Sequence, residues 1–273
     1  AMRGSVVALA VVRAPERQQE AQVSTQPRIV SWFSCGAASA IATKLAVSQY
    51  GDRVVPAYCD PGAEDEDNHR FLRDCEQWFG APVQHLKSDE YSDVEDVWER
   101  RRFMAGISGA PCTAEMKVKP RTAFQRVDDI HVFGYTADKS DVARADRMRQ
   151  TFFEMTVWTP LIERGLTKSA CRDLLRQSDI QEPRTYALGF PNANCIGCPK
   201  ATSPAYWALV RKHYPETFAR RAKLSRELGA RLARVNGERV FIDEIPDDQP
   251  TAQAEAPACD FLCAMAAQDL ENG

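Results

Sequence analysis

The chain has 273 residues, of which 44% are apolar and 27% charged, and its formal net charge is −3. These values are typical of a globular protein with a sizeable core, and they exclude a chain that binds nucleic acid chiefly through overall positive charge. The nine cysteines are odd in number and irregularly spaced, in a chain long enough to fold without disulfides. We therefore interpret them as intracellular thiols or metal ligands and expect a cytoplasmic protein.

The two ends of the chain differ in composition from its middle. The apolar run Val6–Val12 is too short to span a bilayer, and no membrane association is expected. The polar stretch that follows predicts a disordered lead-in over residues 1–27. Residues 247–273 are rich in Asp, Gln, Ala and Pro and predict a loose tail, which carries Cys259 and Cys263.

Strand-like and helix-like patterns alternate in the first half. The predicted strands are Arg28–Phe33, Val54–Cys59, Val83–Leu86 and Ile130–Phe133, and the predicted helices are Ser39–Tyr50, Glu66–Phe79, Val94–Phe103 and a segment from Cys112 to about Val127. This alternation is typical of βαβ units, so we predict an α/β domain over residues 28–160 with a parallel sheet covered on both faces.

The pattern after Trp158 is mostly helical and predicts a second part over residues 161–246. Its predicted elements are a helix capped by Thr167 that runs to Arg176, the helices Pro204–His213 and Pro215–Leu228, and a last short strand at Arg239–Asp243. We expect the chemistry where the carboxyl ends of the sheet meet this helical part.

The turn after the first strand, in SWFSCGAAS (Ser31–Ser39), leads directly into a helix. Backbone N–H groups at a helix start attract phosphate without a charged side chain. Ser34, Gly36, Ala37 and Ser39 are small enough to let an anion approach, and both serines can donate hydrogen bonds. The alternative is a small-residue turn that packs on the sheet. Cys35 lies in the same loop and is counted among the candidate nucleotide-binding residues, although a role in the core is the open alternative.

The second strand ends in YCDPG and places Asp60 at the carboxyl edge of the sheet. An acid there can face a ribose, a magnesium ion or a substrate amine, whereas the alternative is an ordinary Asp-Pro-Gly turn. The acidic run Glu64–Asp67 that follows is interpreted as helix-start charge.

Three cysteines form the strongest candidate for a metal site. Cys195 and Cys198 have Cys-x-x-Cys spacing around Gly197, so two thiolates can share one metal or one iron–sulfur cluster. Cys112 lies in a loop at a predicted helix start, which lowers a thiol pKa. The alternatives are a redox pair or coincidence. The remaining mid-chain cysteines are interpreted as small core residues: Cys59, Cys75 and Cys171.

Basic residues gather beside the same loops. The clusters are Lys117, Lys119 and Arg121; Lys139, Arg144 and Arg147; and Lys200, Arg211 and Lys212. Each alone is typical of a solvated helix face. Together they favour a multiply charged anion, such as a sulfated or triphosphorylated nucleotide. The four histidines are scattered and do not indicate a hydrolytic triad.

Five segments in order resemble the phosphoadenosine phosphosulfate (PAPS) reductase family, of the adenine-nucleotide alpha-hydrolase or PP-loop superfamily. They are SWFSCGAASA, YCDPGAEDEDNHRFL, PCTAEMKVKP, GYTADKSDVAR and NCIGCPK. The resemblance runs from about Arg28 to Cys263. It implies a five-stranded parallel sheet with helices on both faces and an adenine nucleotide (PAPS, adenosine phosphosulfate (APS) or ATP) over the first loop.

The resemblance also implies roles for single residues. Lys117 and Lys119 match a basic pair of the family, and Gly134 keeps the spacing of its G-x-R-x-x-x-S segment with Arg144 nearby, although Thr136 replaces the arginine. In the ATP-pyrophosphatase members the loop is S-G-G-x-D-S. Here Cys35 replaces the first glycine and Ala38 the aspartate, which weakens the case for magnesium–ATP chemistry.

The cysteines match the cluster-bearing members in part. Cys112, Cys195 and Cys198 match three ligands of a four-iron, four-sulfur cluster, while Thr113 stands where the fourth is expected. The nucleophile motif E-C-G-L-H corresponds to ACDFLC here, with Cys259 at the nucleophile position and Cys263 as a second candidate catalytic thiol.

Three functions follow as hypotheses. The first is a sulfonucleotide reductase that uses a cysteine thiolate, an iron–sulfur cluster and a thioredoxin-like reductant. The second is ATP-dependent sulfur insertion into a nucleic acid, bound by the arginine-rich segment 211–234. The third is a non-catalytic nucleotide- or metal-binding module whose cysteines hold zinc.

Overall fold

The computed structural model describes residues 26–106, 109–252, 254–255 and 257. Its strands are β1 (Ile29–Trp32), β2 (Val54–Cys59), β3 (Gln84–Leu86), β4 (Ile130–Val132), β5 (Thr156–Trp158), β6 (Ala233–Val235) and β7 (Glu238–Val240). Its α-helices are α1 (Ala37–Tyr50), α2 (Asp67–Phe79), α3 (Val94–Arg101), α4 (Pro111–Thr113), α5 (Lys119–Phe124), α6 (Lys139–Thr151), α7 (Pro160–Glu163), α8 (Lys168–Gln177), α9 (Arg184–Ala187), α10 (Pro204–His213) and α11 (Pro215–Glu227). A π-helical turn, Ala114–Val118, joins α4 to α5, and 3₁₀ turns occupy Gly51–Arg53 and Ile242–Glu244.

Five strands form one sheet in the order β3-β2-β1-β4-β5, and every neighbouring pair is parallel. The predicted α/β class with a five-stranded parallel sheet is therefore confirmed. The chain leaves the central strand β1 toward β2 on one side and later enters β4 on the other. In open sheets of this kind, ligands bind in the crevice where the strand order reverses, which here lies beyond the carboxyl ends of β1 and β4.

Helices cover both faces of the sheet. Ile130 and Val132 of β4 belong to the core that also contains α1, α2 and α8, whereas Phe133 belongs to a second cluster with Ala145 and Met148 of α6. Alternate residues of a strand point to opposite faces, so α6 lies on the face opposite to α1. The fifth strand, Thr156–Trp158, has only three residues, too few for a readable alternation.

A further core joins the helical part to the first half of the chain. Trp98 of α3 and Met104 share this cluster with Trp207 of α10 and with Ile242. The predicted cap is confirmed, since the Thr167 hydroxyl accepts a hydrogen bond from the amide of Ala170 at 3.2 Å. Strand β7 pairs with β6 in an antiparallel hairpin and lies slightly earlier than the predicted segment Arg239–Asp243.

Two predicted features fall outside the described residues: the lead-in, apart from its last two residues, and the cysteines Cys259 and Cys263. In the part that the structure describes, no helix is long and apolar enough to cross a membrane.

Candidate functional site

A cavity of about 670 Å³ opens at the carboxyl edge of the sheet, beyond β1 and β4. Its size and position are those of a small-molecule site in an α/β fold. We call it the nucleotide cavity. Of the predicted binding residues, Ser34, Gly36, Ala37, Ser39, Gly134, Lys117 and Arg144 line it, whereas Cys35, Asp60 and Lys119 do not.

Ser39 organises the loop that enters α1. Its hydroxyl oxygen accepts hydrogen bonds from the amide of Ser34 at 3.0 Å and from the amide of Gly36 at 3.4 Å. The same hydroxyl donates to the carbonyl of Gly36 at 3.0 Å. Ser39 therefore holds the loop in shape around the helix N-terminus, and the positive end of the helix dipole faces the cavity.

Cys35, predicted to contact the nucleotide, lies instead in the core beneath the loop. Its side chain has no exposed surface, and its backbone φ is 51°, a left-handed conformation uncommon for a residue with a side chain. Burial raises the pKa of its thiol. Because the loop turns sharply at this residue, the side chain points away from the nucleotide cavity, whereas the neighbouring Ser34, Gly36 and Ala37 line it.

Gly134 is required by a close approach of two backbone segments. A Cβ atom at this position would lie 2.8 Å from both the amide nitrogen and the Cα of Ser39. Such a contact is too short for any side chain, so only glycine lets the end of β4 meet the first turn of α1. The predicted binding role of Gly134 therefore has a geometric basis in the shape of the loop.

Tyr186, which sequence reasoning did not single out, contacts the first amide of α1. The hydroxyl of Tyr186 accepts a long hydrogen bond, 3.4 Å, from the amide of Ala37. The guanidinium of Arg172 lies 4.8 Å from the centre of the Tyr186 ring and pairs with Glu182 through two hydrogen bonds of 2.7 and 2.9 Å. Tyr186 thus stands at the point where an anion would meet the helix.

Six cationic side chains line the nucleotide cavity: Lys117, Arg121, Arg144, Lys168, Arg172 and Arg176. Several of these cations lie close to carboxylates, as in the pairs Lys117–Glu64 at 3.8 Å and Arg144–Asp141 at 2.9 Å. The last three lie on α8, which the sequence placed in a separate helical part. Packing of α8 on α1 brings them to the site.

Lys119 lies away from the cavity. Its ammonium group is 2.6 Å from a carboxylate oxygen of Glu115, a buried residue that also pairs with Arg101. Residues two apart on a helix face different directions, whereas residues four apart share a face. Lys117 and Arg121 line the cavity together, whereas Lys119, which the family resemblance predicts at the nucleotide, lies on another side.

Two acids line the nucleotide cavity: Asp141, which pairs with Arg144, and Glu64. The buried carboxylate of Glu64 accepts hydrogen bonds from the hydroxyl of Tyr58 at 2.9 Å and from the side-chain amide of Asn68 at 2.8 Å. Burial raises its pKa. Asp60, predicted at this place, instead caps the amide of Gly62 and pairs with Lys87 at 3.2 Å. The helix α2 begins only at Asp67, so Glu64 belongs to the loop and can turn inward.

Aromatic rings form another part of the cavity wall. Trp32, Phe133, Tyr135 and Phe190 all line it. The rings of Phe133 and Tyr135 are stacked, with 5.6 Å between centroids, and Arg144 lies 5.3 Å from the Tyr135 centroid. Flat rings beside cations are the environment that a purine base with attached anionic groups requires.

Cys59, predicted as a core residue, also lines the nucleotide cavity. Its thiol donates to the carbonyl of Lys117 at 3.6 Å, and burial raises the pKa of the thiol to about 11. At neutral pH it is a protonated and weakly nucleophilic thiol.

The three cysteines predicted to bind metal meet at one small cavity. Cys112, Cys195 and Cys198 line a space of about 10 Å³, which we call the cysteine cavity. Thr113 and Lys117 line both this cavity and the nucleotide cavity, so the two are neighbours. The structure thus brings together cysteines that are more than eighty positions apart in the chain, and it places them next to the nucleotide cavity.

Tyr206 fixes the turn that carries Cys195 and Cys198. Its buried hydroxyl accepts hydrogen bonds from the amides of Gly197 and Cys198, at 3.1 and 3.2 Å, and donates to the carbonyl of Cys195 at 3.1 Å. Gly197 has a φ of 70°, which a glycine adopts without strain. No local sequence pattern indicates that Tyr206, eight positions after Cys198, supports this turn.

The donors fit a thiolate-bound metal in type, because thiolates are the ligands of zinc and of iron–sulfur clusters. Among the described residues, however, no group of three or more His, Cys, Asp or Glu side chains is arranged to hold a metal ion. Thr113, at the position of the fourth family ligand, accepts a hydrogen bond from Lys200 at 3.2 Å. The metal assignment stays a prediction.

The predicted catalytic thiols, Cys259 and Cys263, lie outside the described residues. Pro257, two positions before Cys259, is described, and it lines the nucleotide cavity. The tail therefore reaches the site at least as far as Pro257.

Several arginines of the segment considered for nucleic-acid binding contact the protein itself. Arg220 pairs with Glu95 at 3.2 Å, Arg226 pairs with Asp243 at 3.0 Å, and Arg221 is buried. Binding of a nucleic acid by this segment stays a prediction.

The chain is similar in structure to solved proteins, although its sequence matches neither a family model nor a curated protein. The crystal structure of phosphoadenylyl-sulfate (PAPS) reductase from Candida auris, in complex with phosphate, matches with a TM-score of 0.46 and 11% identity, over 64% of this chain and 84% of that chain.

Proposed function

We propose that the chain is a PAPS reductase-like enzyme that binds an adenylyl sulfate, PAPS or APS, and reduces its sulfonate group to sulfite. One observation carries the proposal: a cavity of nucleotide size, lined by aromatic rings and six cations, stands over the N-terminus of α1 and beside a cavity lined by three cysteines. The first turn of α1 contains no acidic residue, which favours an anion bound without a magnesium ion over a metal-bound triphosphate.

In this proposal the described residues bind and orient the substrate. The loop amides around Ser34 and Ser39, with Lys117 and Arg144, hold the phosphate and sulfate oxygens. The rings of Phe133 and Tyr135 hold the base. Binding of this kind places the sulfur atom at the carboxyl edge of the sheet and keeps bulk water away from it.

The thiolate of Cys259 then attacks the sulfur. A sulfur–sulfur bond forms, the bond from sulfur to the phosphate oxygen breaks, and the nucleotide leaves as a phosphate monoester. A thiolate of a thioredoxin-like carrier attacks the Cys259 sulfur and expels sulfite, and the second carrier thiol resolves the mixed disulfide. Cys263 is the thiol of this chain that can take the resolving role in place of the carrier.

An iron–sulfur cluster is part of the proposal as a group held by Cys112, Cys195 and Cys198. When bound there, it would link Cys112 to the turn of Cys195 and Cys198 behind the wall formed by Thr113 and Lys117, and it would supply a redox-active group next to the nucleotide cavity. Zinc is the alternative occupant of the same thiols, with a structural role.

The test is an anaerobic assay of the purified full chain with PAPS or APS, thioredoxin and thioredoxin reductase, and sulfite as the readout. We expect sulfite from one of the two substrates, and a loss of at least about 10³-fold in the Cys259→Ala variant. Cys75→Ala, which removes a buried core thiol that lines neither cavity, is the matched control and retains activity. Absence of sulfite from both substrates contradicts the proposal.

A second candidate is ATP-dependent sulfur insertion, which is favoured by the position of the three cysteines beside the nucleotide cavity. It predicts release of AMP and pyrophosphate from ATP in the presence of an acceptor. A non-catalytic zinc-binding module predicts stoichiometric zinc and no turnover of any nucleotide. The same preparation distinguishes these outcomes through metal analysis and nucleotide chromatography.

A further inference from the structure

Tyr186 places its hydroxyl at the N-terminus of α1, at the wall of the nucleotide cavity. The residue belongs to the short helix α9 and lines the cavity together with Gly36 and Ala37. Its hydroxyl oxygen lies 3.4 Å from the amide nitrogen of Ala37, and a Cβ atom at Gly36 would lie 3.6 Å from the same oxygen. The tip of the phenol therefore stands in front of the turn that is expected to meet an anion.

The hydrogen-bond count of this hydroxyl leaves its hydrogen available to a ligand. A tyrosine hydroxyl offers one O–H donor and two acceptor lone pairs. The amide of Ala37 uses one of the lone pairs. Among the residues that the structure describes, none accepts the hydrogen of this hydroxyl. Tyr186 thus adds a donor at the point where the first turn of α1 presents its amides, and convergent donors are what an oxyanion requires.

The ring of Tyr186 is held by contacts that do not involve the hydroxyl. It packs against the core that contains residues of α1 and α8. The guanidinium of Arg172 lies 4.8 Å from the ring centre and is itself fixed by two hydrogen bonds to Glu182. Burial raises the pKa of Tyr186, so the hydroxyl keeps its proton at neutral pH. The hydroxyl is therefore positioned as a donor before any ligand binds.

A hydroxyl at the N-terminus of a helix either donates to an anion or takes its place, and two features favour donation. The hydrogen bond from the amide of Ala37 is 3.4 Å long, beyond the range of roughly 2.7–3.2 Å that is usual for N–H···O contacts, so this amide is held weakly and remains able to bind a ligand. The cavity of about 670 Å³ stays open beside the hydroxyl, with Ser34 and Ser39 on its wall, and leaves room for an anion.

We propose that Tyr186 is a substrate-binding residue, whose hydroxyl donates a hydrogen bond to a phosphate or sulfate oxygen of the nucleotide at the N-terminus of α1. The inference rests on the proposed function in naming a nucleotide. It adds a residue that neither the motifs nor the family resemblance assigns to binding. The anion is then held from two segments, the loop before α1 and the helix α9, whose contacting residues Ala37 and Tyr186 are 149 positions apart in the chain.

The experiment measures binding by titration calorimetry with the full chain and two variants, Tyr186→Phe and Tyr50→Phe. The probes are APS, AMP and inorganic sulfate. Tyr186→Phe keeps the ring and removes the donor, so we expect APS binding to weaken about tenfold, which is the size of one hydrogen bond to a charged group. A matching loss for AMP assigns the contact to the phosphate, and a loss for APS without a loss for AMP assigns it to the sulfate group.

Tyr50→Phe is the matched control, because Tyr50 lies at the other end of the same helix. Its hydroxyl accepts one hydrogen bond, from the side-chain amide of Gln49 at 2.9 Å, and the residue does not line the nucleotide cavity. We expect this variant to bind every probe with unchanged affinity. The melting temperature of the ligand-free protein is the second readout: both variants keep their rings, so each is expected to melt within about 3 °C of the unsubstituted chain.

Unchanged affinity for every probe in Tyr186→Phe overturns the inference, as does an equal loss of affinity in Tyr50→Phe. Tighter binding by Tyr186→Phe overturns it as well, since it shows that the hydroxyl occupies the place of the anion. A melting temperature of Tyr186→Phe that falls by more than about 3 °C assigns the hydroxyl a structural role and also overturns it.

Failure of the unsubstituted chain to bind APS or AMP counts against the proposed function instead. In that case Tyr186-dependent binding of inorganic sulfate still supports the inference, and sulfate binding that is absent or independent of Tyr186 overturns it.

Discussion

The nucleotide cavity and the cysteine cavity lie side by side but are built in different ways. The first is about 670 Å³ and is shaped by backbone at the sheet edge, where Gly134 meets Ser39 and where β1 and β4 end. The second is about 10 Å³ and depends on side chains from distant segments, brought together by a core that contains Trp98 and Trp207. The nucleotide cavity therefore follows from the sheet topology, whereas the cysteine cavity depends on tertiary packing and on the support of Tyr206.

The largest expected effect comes from Gly134→Ala. The added Cβ would collide with the Ser39 backbone, so α1 must move, and we expect a loss of about 3 kcal/mol in the free energy of unfolding together with loss of nucleotide binding. Urea denaturation and calorimetry measure the two effects. Gly51→Ala is the control: its φ is 56° and its surroundings are open, so it costs about 1 kcal/mol without changing affinity. Normal binding by Gly134→Ala would show that the close contact does not shape the site.

Tyr206→Phe tests the cysteine cavity. It removes the acceptor of two buried amides in the cysteine turn, and we expect a loss of about 2 kcal/mol in stability and faster reaction of the nearby thiols with a thiol reagent. Nucleotide affinity should be unchanged, which is the reverse of the result for Gly134→Ala. Tyr91→Phe, in the same core, loses only a contact with Arg101 at 3.1 Å and should leave thiol reactivity as it is. If the thiols react equally fast in Tyr206→Phe and Tyr91→Phe, Tyr206 does not support the turn.

The smallest effect is expected at Glu64, whose carboxylate adds negative charge to a cavity suited to anions. Glu64→Gln should tighten APS binding about threefold at pH 8. Burial raises the pKa of Glu64, so a fall in pH protonates it earlier than an ordinary carboxyl group and tightens binding by the unsubstituted chain. The difference between the two proteins should therefore shrink as pH falls, in titrations from pH 8 to pH 5.

Asp60→Asn is the paired variant for this measurement. The structure places Asp60 outside the cavity, whereas the sequence predicted it within, so an unchanged affinity agrees with the structure. A tenfold change in the Asp60 variant, with none at Glu64, would reverse the assignment of the acidic residue.

The sequence predicted best those residues of the site that lie close together in the chain. Ser34, Gly36, Ala37 and Ser39 follow one strand in one turn, and local pattern was enough to place them at the cavity. Lys119 and Asp60, which were predicted at the nucleotide, lie outside the cavity, because the direction of a side chain depends on helix phase and turn geometry, which a motif does not specify.

The sequence by itself determined the fold class, since strands and helices that alternate can bury their apolar faces only as βαβ units, and it determined the loop that presents amides at a helix start. Tertiary structure alone decided which cations reach the cavity, that Glu64 rather than Asp60 faces it, and that Cys112 meets the turn held by Tyr206. The physical reason is that hydrogen bonding and periodicity act over a few residues, whereas convergence of α8, α5 and the cysteine turn depends on packing among segments far apart in the chain.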